Sequence, residues 1–396
     1  MSERTLPQHV EIGMRRVRNS LAARAMNHLD ETFAGDHART ATGMLFAMAM
    51  HFRESGMRIQ LKALADQVMV ITGATSGIGL ATARMAARRR ARLVLVARNE
   101  SALRLICDDL NMLGAETMHV AADVANEADV QRVADAAIER FGGFDSWLNI
   151  AGVGIFGKSE AVPAEDMRRL FDVNFWGVVH GSMIAARHLK KHGGALINMG
   201  SETSDRAVPL LGIYSASKHA VKGFTDSLRT ELEEEGAPVS VTLVKPASVD
   251  TMFVAHAKNY MEVEPQLPPP VYAPDVAADA LLYAAEHPMR DVYVGSRARL
   301  SGTGAHLMPR LLDKGMERFM IPMMKTDRPP RDRDDNNLYS SSTDLMERAG
   351  AGSNPPREFS VYTSAVTHPR TTGAVMVGAG LALAALLQMR RQRTQQ

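Results

Sequence analysis

The chain has 396 residues, more than the roughly 250 that a single α/β domain needs, so segments appended at its ends are expected. Its net charge of +2 gives no basic footprint for nucleic acid. A single cysteine, Cys107, excludes an intramolecular disulfide and permits a reducing compartment, so a cytoplasmic location is expected.

Taken in chain order, residues 1–65 carry Val10, Met14, Val17, Leu21 and Ala25 at helical spacing, with Arg15, Arg16 and Arg18 largely off that face. An amphipathic helical extension follows, packed on the domain by default, with pairing of subunits or lying on a membrane as alternatives. The start lacks a basic region followed directly by an apolar one, so no cleavable signal peptide is read. The run Gln67-Val-Met-Val-Ile71 has strand length and enters Thr72-Gly-Ala-Thr-Ser-Gly-Ile-Gly79, which opens the helical pattern of residues 80–90. In such a strand, turn and helix, Gly73 permits the tight turn and Gly77 lets backbone amides approach a pyrophosphate. Gly79 lets the helix pack against the strand.

Further strands are expected at 93–97, 118–121, 146–150, 195–199, 239–244 and 291–294, alternating with helices at 101–113, 127–141, 164–190 and 213–235. Gly236 and Pro238 stop the last helix, and Cys107 reads as a buried structural thiol in its apolar helix. The fold class is therefore α/β, a Rossmann-type doubly wound sheet of seven parallel strands. Ligands in such sheets bind beyond the carboxyl ends of the strands, where the glycine loop, Asp123, Asn149, Ser201 and Pro246 all fall.

The chemistry is carried by Tyr214-Ser-Ala-Ser-Lys218. On a helix, the four-residue step puts a phenol and an ammonium on one face. The nearby cation is expected to lower the Tyr214 pKa towards working pH, so that the phenol passes a proton to a carbonyl oxygen or takes one from an alcohol. Ser201 is placed to hold that oxygen. His180 and His188 lack any accompanying cluster of Cys, His or carboxylates, and no metal site is read.

With these motifs in order, the chain resembles the short-chain dehydrogenase/reductase family from about residue 67 to about residue 294. Tyr214, Lys218 and Ser201 fall on its catalytic positions. Asn174, in Asp172-Val-Asn-Phe-Trp-Gly177, fits the fourth, whose backbone in the family holds a proton-relaying water. Leu148-Asn-Ile-Ala-Gly152 resembles the family's NNAG segment, with Ile150 in place of the second Asn. Lys245-Pro-Ala-Ser-Val-Asp-Thr251 resembles PGxxxT, with Ala247 in place of Gly. The resemblance implies a hydride-transferring enzyme acting on a small carbonyl or alcohol substrate, and a homo-oligomer. It implies a cofactor bed made by Gly73, Thr75, Ser76, Gly77, Ile78, Gly79, Arg98, Asp123, Val124, Asn149, Ala151, Gly152, Tyr214, Lys218, Pro246, Val249 and Thr251. Asp123 is expected to contact adenine, with capping of the next helix as its rival.

At the end of the second strand an NAD enzyme usually carries an acidic residue for the ribose hydroxyls; this chain has Ala97 and then Arg98. A guanidinium suits a 2′-phosphate, so NADP(H) is the expected cofactor, with Arg98 as the selecting group helped by Ser76 or Asn99. Between Thr251 and Pro288, Met252, Phe253, Val254, Tyr260 and Met261 point to a flap over an apolar ligand, or equally to core packing. An epimerase or dehydratase on the same fold, or a sensor that binds nucleotide without chemistry, are the alternatives.

The catalytic domain is assigned to residues 66–324. Residues 325–372, rich in Pro, Ser, Asp, Arg and Asn, read as a disordered linker. Residues 373–396 then form an uncharged apolar stretch ending in Arg390, Arg391 and Arg393. As a helix through Met389 it measures about 25 Å, short for a hydrocarbon core of roughly 30 Å, but sufficient for the expectation of a membrane anchor.

Overall fold

Val68–Thr72 is an apolar run without alternation, the pattern of a strand covered on both faces, and it forms the central strand β1, buried at every position. On one side β1 pairs with β2 (Arg92–Ala97) and then β3 (Thr117–Ala121). On the other lie β4 (Ser146–Asn149), β6 (Gly194–Met199), β7 (Val239–Pro246) and β9 (Asp291–Val294). The result is one seven-stranded sheet of order β3-β2-β1-β4-β6-β7-β9 in which every pairing is parallel. This is the Rossmann-type architecture expected from the sequence. β5 (Ile155–Phe156) and β8 (Lys258–Asn259) pair separately. The computed structural model describes residues 59–299, 308–342, 345–350, 355–368 and 372.

Because side chains alternate across a strand, β1 feeds two cores at once. Met69 and Ile71 join Leu80, Leu103, Ile106 and Leu281, contributed by α1 (Gly77–Arg88), α2 (Glu100–Met112) and α7 (Pro274–Glu286). Val68 and Val70 join Val130, Val133, Leu189 and Leu228 on the other face. Those come from α3 (Glu127–Phe141), α5 (Gly177–His192) and α6 (Gly212–Glu234). Two helical layers thus hold the sheet rigid, and the reversal of strand order between β1 and β4 opens the crevice where such folds bind ligands.

Two expectations are corrected. The helix expected over 164–190 is broken: α4 (Ala164–Phe171) and α5 are joined through a π-turn, Asp172–Trp176, where the Gly177 N–H bonds back to the Asp172 carbonyl. Such wide turns are frequent at functional positions. The second correction concerns the linker at 325–372, whose described residues are ordered against the domain. The Glu264 N–H donates to the Arg328 carbonyl at 3.0 Å, and Arg357 exchanges backbone bonds with Val271 and Ala273. Helix α8 (Val361–Thr367) buries Thr363, which accepts the Gly295 N–H at 2.9 Å. The composition misleads because this segment is fastened largely by hydrogen bonds and ion pairs, which a hydrophobicity count does not register.

Among the described residues no helix is long and apolar enough to cross a membrane. The amphipathic helix expected near the amino terminus and the anchor expected at 373–396 both fall outside the described residues.

Candidate active site

The glycine turn is built by its neighbours. Thr72 Oγ1 donates to the Leu148 carbonyl at 3.2 Å and accepts the N–H groups of Ile150 and Ala151 at 3.0 and 3.1 Å, tying the ends of β1 and β4 together. The chain then turns through Gly73 at φ +71°, where a Cβ would lie 2.8 Å from Ala151 Cα. At Gly79 a Cβ would lie 2.0 Å from the Gly73 carbonyl oxygen, so only glycine lets α1 start this close to β1. The amino end of α1 faces the cleft, with Ser76 at the N-cap and its side chain making no cap bond. The close backbone approach at a helix end of favourable dipole suits a dinucleotide phosphate, and the Gly77 N–H there is bonded in this structure to the Met346 carbonyl at 3.0 Å.

From the turn one continuous cleft runs past Arg98, Asp123, Val124, Ala151 and Gly152 to Ser201, Tyr214 and Lys218, closed opposite by Pro246, Val249 and Thr251. Thr75, Ser76, Gly77, Ile78 and Gly79 line it as well. Asn149 is the exception among the expected cofactor residues. Its Oδ1 accepts from Trp147 Nε1 at 2.8 Å, and its Nδ2 donates to Asn198 Oδ1 at 2.9 Å and Ser182 Oγ at 3.2 Å. That buried network holds β4 to β6 and α5, and the side chain does not line the cleft. Asp123 is not the helix cap either. Asn126 caps α3, while Asp123 accepts the Ala125 N–H at 3.0 Å and pairs with Arg169 at 2.6 Å.

At the far end Tyr214 and Lys218 stand one turn apart on α6. Lys218 is buried and its Nζ donates to the Met199 carbonyl at 2.8 Å, 5.8 Å from the Tyr214 ring centre. The expectation that Lys218 lowers the Tyr214 pKa is corrected. Burial pushes the phenol up to about 12; the hydrogen bond with Ser201 opposes this and the Glu202 carboxylate adds to it. Burial also brings the Lys218 ammonium down to about 8. Loss of solvation is the largest cause of both shifts. Asn174 sits fully buried in the π-turn, its side chain exchanging bonds with the Val153 N–H and C=O at 2.8 and 2.9 Å. The side chain thereby fixes the turn beneath Lys218, and does not itself line the cleft.

Phe253, one of the apolar residues expected to form a flap or to pack in the core, sets its ring 5.1 Å from that of Tyr214. Sequence reasoning missed other participants. Glu202, beside Ser201, is partly buried and paired with Arg297, which also donates to Ser248 Oγ at 2.7 Å. Burial raises the Glu202 carboxyl above its ordinary value, with Arg297 opposing. The polar segment at 337–342 also borders the cleft. None of these was legible, since each acts through a partner remote in sequence. Among the described residues no cluster of His, Cys, Asp and Glu is able to hold a metal ion.

The profile of the short chain dehydrogenase family matches residues 67–261. An uncharacterized oxidoreductase of Bacillus subtilis, YxnA, is 44% identical over 324 residues, covering 81% of this chain and 91% of the relative. An alcohol dehydrogenase from Thermococcus sibiricus, solved with 5-hydroxy-NADP, superposes with a TM-score of 0.51 at 28% identity, over 57% of this chain and 95% of that one. A short chain dehydrogenase/reductase from Burkholderia phymatum, solved in complex with NAD, does so with a TM-score of 0.55 at 29% identity, over 68% of this chain and all of that one. With the parallel sheet, the glycine turn and the Tyr214/Lys218 pair on one cleft, these likenesses make the chain an oxidoreductase of the short-chain dehydrogenase/reductase family.

Proposed function

We propose that this enzyme is an NADP-dependent oxidoreductase that interconverts a small, predominantly apolar carbonyl compound and its alcohol. The observation that carries the reading is the single cleft joining the glycine turn to Ser201, Tyr214 and Lys218. The dinucleotide would be held by the amides of the α1 end, by Arg98 and Asp123 at its adenosine half, and by Lys218, Pro246, Val249 and Thr251 at its nicotinamide half. When bound, it supplies or accepts the hydride.

The chain's own residues handle the proton. Tyr214, kept protonated by burial, donates to the carbonyl oxygen in reduction and takes the proton back in oxidation. Ser201, already bonded to the phenol, holds the same oxygen. Lys218 binds ribose and, while charged, favours the phenolate, and Asn174 supports the turn under it. Val208, Leu211, Phe253 and Leu267 give the substrate end an apolar wall. Screening the purified protein for NADPH oxidation across ketones and aldehydes tests the reading; absence of turnover with every member, despite cofactor binding, would leave only a nucleotide-binding role.

Lys218 provides a test with two opposite slopes. Its charged form is the one that binds ribose, so the affinity for NADPH should weaken about tenfold per pH unit once pH passes about 8. Its contribution to stability runs the other way. The folded value lies below the ordinary 10.5, so between about 8 and 10.5 the unfolded chain binds more protons at this site, and this contribution grows with pH. Isothermal titrations and melts across pH 7–10, compared with Lys218→Met, separate the two. Identical pH slopes in wild type and variant would remove Lys218 as the titrating group.

Arg98→Asp should shift the preference from NADPH towards NADH by about 10- to 100-fold in the ratio of kcat/KM values. It replaces a guanidinium suited to a 2′-phosphate with a carboxylate that repels it and accepts from ribose hydroxyls. An unchanged ratio refutes the assignment.

A further inference from the structure

The adenosine end of the cleft is not finished by the core fold alone. Residues 337–342, far beyond the family match, cross it as a strap, and Asn337, Ser341 and Ser342 form part of its lining. The strap is fastened to the groups that surround a bound adenosine. Arg98 donates through its terminal nitrogens to the carbonyls of Asn337 at 2.7 Å, Tyr339 at 3.3 Å and Leu338 at 3.5 Å. Asn99 Nδ2 donates to the Ser342 carbonyl at 3.0 Å, and Arg169, which pairs with Asp123, donates to the Leu338 carbonyl at 3.1 Å.

Side chains of the strap complete the fastening. Leu338 is fully buried in the core cluster on the α3 and α5 face of the sheet. The Tyr339 hydroxyl donates to Asp166 at 2.8 Å, and Ser342 Oγ lies 3.1 Å from His256 Nε2. Asn337 Nδ2 donates to Ser342 Oγ at 3.0 Å, and its N–H donates to the His256 carbonyl at 2.8 Å. One segment thus links the end of β2, α4 and the short helix Phe253–His256 across the mouth of the cleft. The guanidinium of Arg98 has five N–H donors in a planar fork, so three carbonyls on its terminal nitrogens orient it and leave capacity for a phosphate.

We propose that residues 337–342 form a clamp that completes the binding subsite for the adenosine 2′-phosphate half of the cofactor, with Asn337, Ser341 and Ser342 as its contributed wall, and that the clamp must lift for the dinucleotide to enter or leave. The inference rests on the reading that this cleft takes a dinucleotide. Its consequence is kinetic: a strap held by this many bonds restrains release, so loosening it raises the dissociation rate more than it changes the proton-transfer chemistry at the other end.

The test uses the full chain. In the double variant Tyr339→Phe/Ser342→Ala, two side-chain fasteners are lost while Arg98, Asp166 and the catalytic groups remain. Stopped-flow release of NADPH should accelerate about tenfold or more, with a matching loss of affinity for the fragment adenosine 2′,5′-bisphosphate. Hydrogen exchange on the wild-type protein provides a measurement free of any folding defect: the amides of 337–342 should gain protection with NADPH and also with the fragment. Unchanged release and unchanged exchange overturn the clamp. Tighter NADPH binding by the variant also overturns it, because the strap carbonyls would then be competitors of the phosphate at Arg98. If the wild-type enzyme binds NADH in preference to NADPH, the cofactor reading fails on its own, and the clamp is judged by NADH release from the same variant.

Discussion

Tyr214→Phe should lower turnover by about 10³- to 10⁴-fold in both directions while leaving NADPH affinity within about twofold of wild type. The substitution removes one oxygen from a ring that stays packed against Phe253 at 5.1 Å, so the wall of the cleft is preserved. What disappears is the proton donor, which burial holds in its protonated form with a pKa near 12. Ser201 loses its phenol partner, at a small cost in stability compared with the catalytic loss. Single-turnover reduction followed at the nicotinamide absorbance, beside equilibrium titration with NADPH, reads the two quantities separately. Retention of more than a tenth of wild-type activity would show that another group carries the proton.

Gly79→Ala should be nearly as damaging, through a different physical route. The added methyl would sit 2.0 Å from the carbonyl oxygen and 2.7 Å from the carbonyl carbon of Gly73. Both are backbone atoms of the turn, so relief requires α1 to move away from β1 and the phosphate bed to open. A backbone clash of this kind costs about 3 kcal/mol, equivalent to a fall of about 6–12 °C in melting temperature for a domain of this size. NADPH affinity should fall by about 100-fold or more, since the amides no longer converge. Gly223→Ala is the control: nothing lies within 4 Å of its added methyl on α6, and relief of glycine's conformational freedom should leave stability equal or slightly higher. A melt of Gly79→Ala indistinguishable from wild type, with normal cofactor binding, would show that the turn adapts.

What the sequence made legible was what depends on short spacing. The central strand running into the glycine turn, and the Tyr214/Lys218 step on one helix, are local patterns, and the structure places them as read. All seven main strands are likewise found within one or two residues of their expected bounds, because buried apolar runs between turn residues leave little choice. Features settled by distant partners were misread or missed. Asn149 follows a strand as a ligand residue should, yet Trp147, Ser182 and Asn198 claim its side chain. The direction of the Tyr214 shift was inferred from a neighbouring cation, whereas the removal of water by the whole pocket dominates. Arg98 meets carbonyls 239 to 241 residues further along the chain. Those carbonyls belong to a segment whose polarity suggested disorder, since composition reports side chains and not the backbone bonds a surface offers.

The strand order also bears on how the molecule is made. Reading outward from β1, the chain adds β2 and β3 to one edge, then β4, β6, β7 and β9 in turn to the other. Each strand leaving the ribosome therefore finds its pairing edge already synthesised, and no strand waits for a later one to be inserted between neighbours. Such a chain can assemble its sheet vectorially from the centre, which limits the time that unpaired edges stand open to aggregation. Residues 337–342 follow all seven strands in the chain, so the sheet and the cleft at its carboxyl edge are synthesised before the segment that borders that cleft.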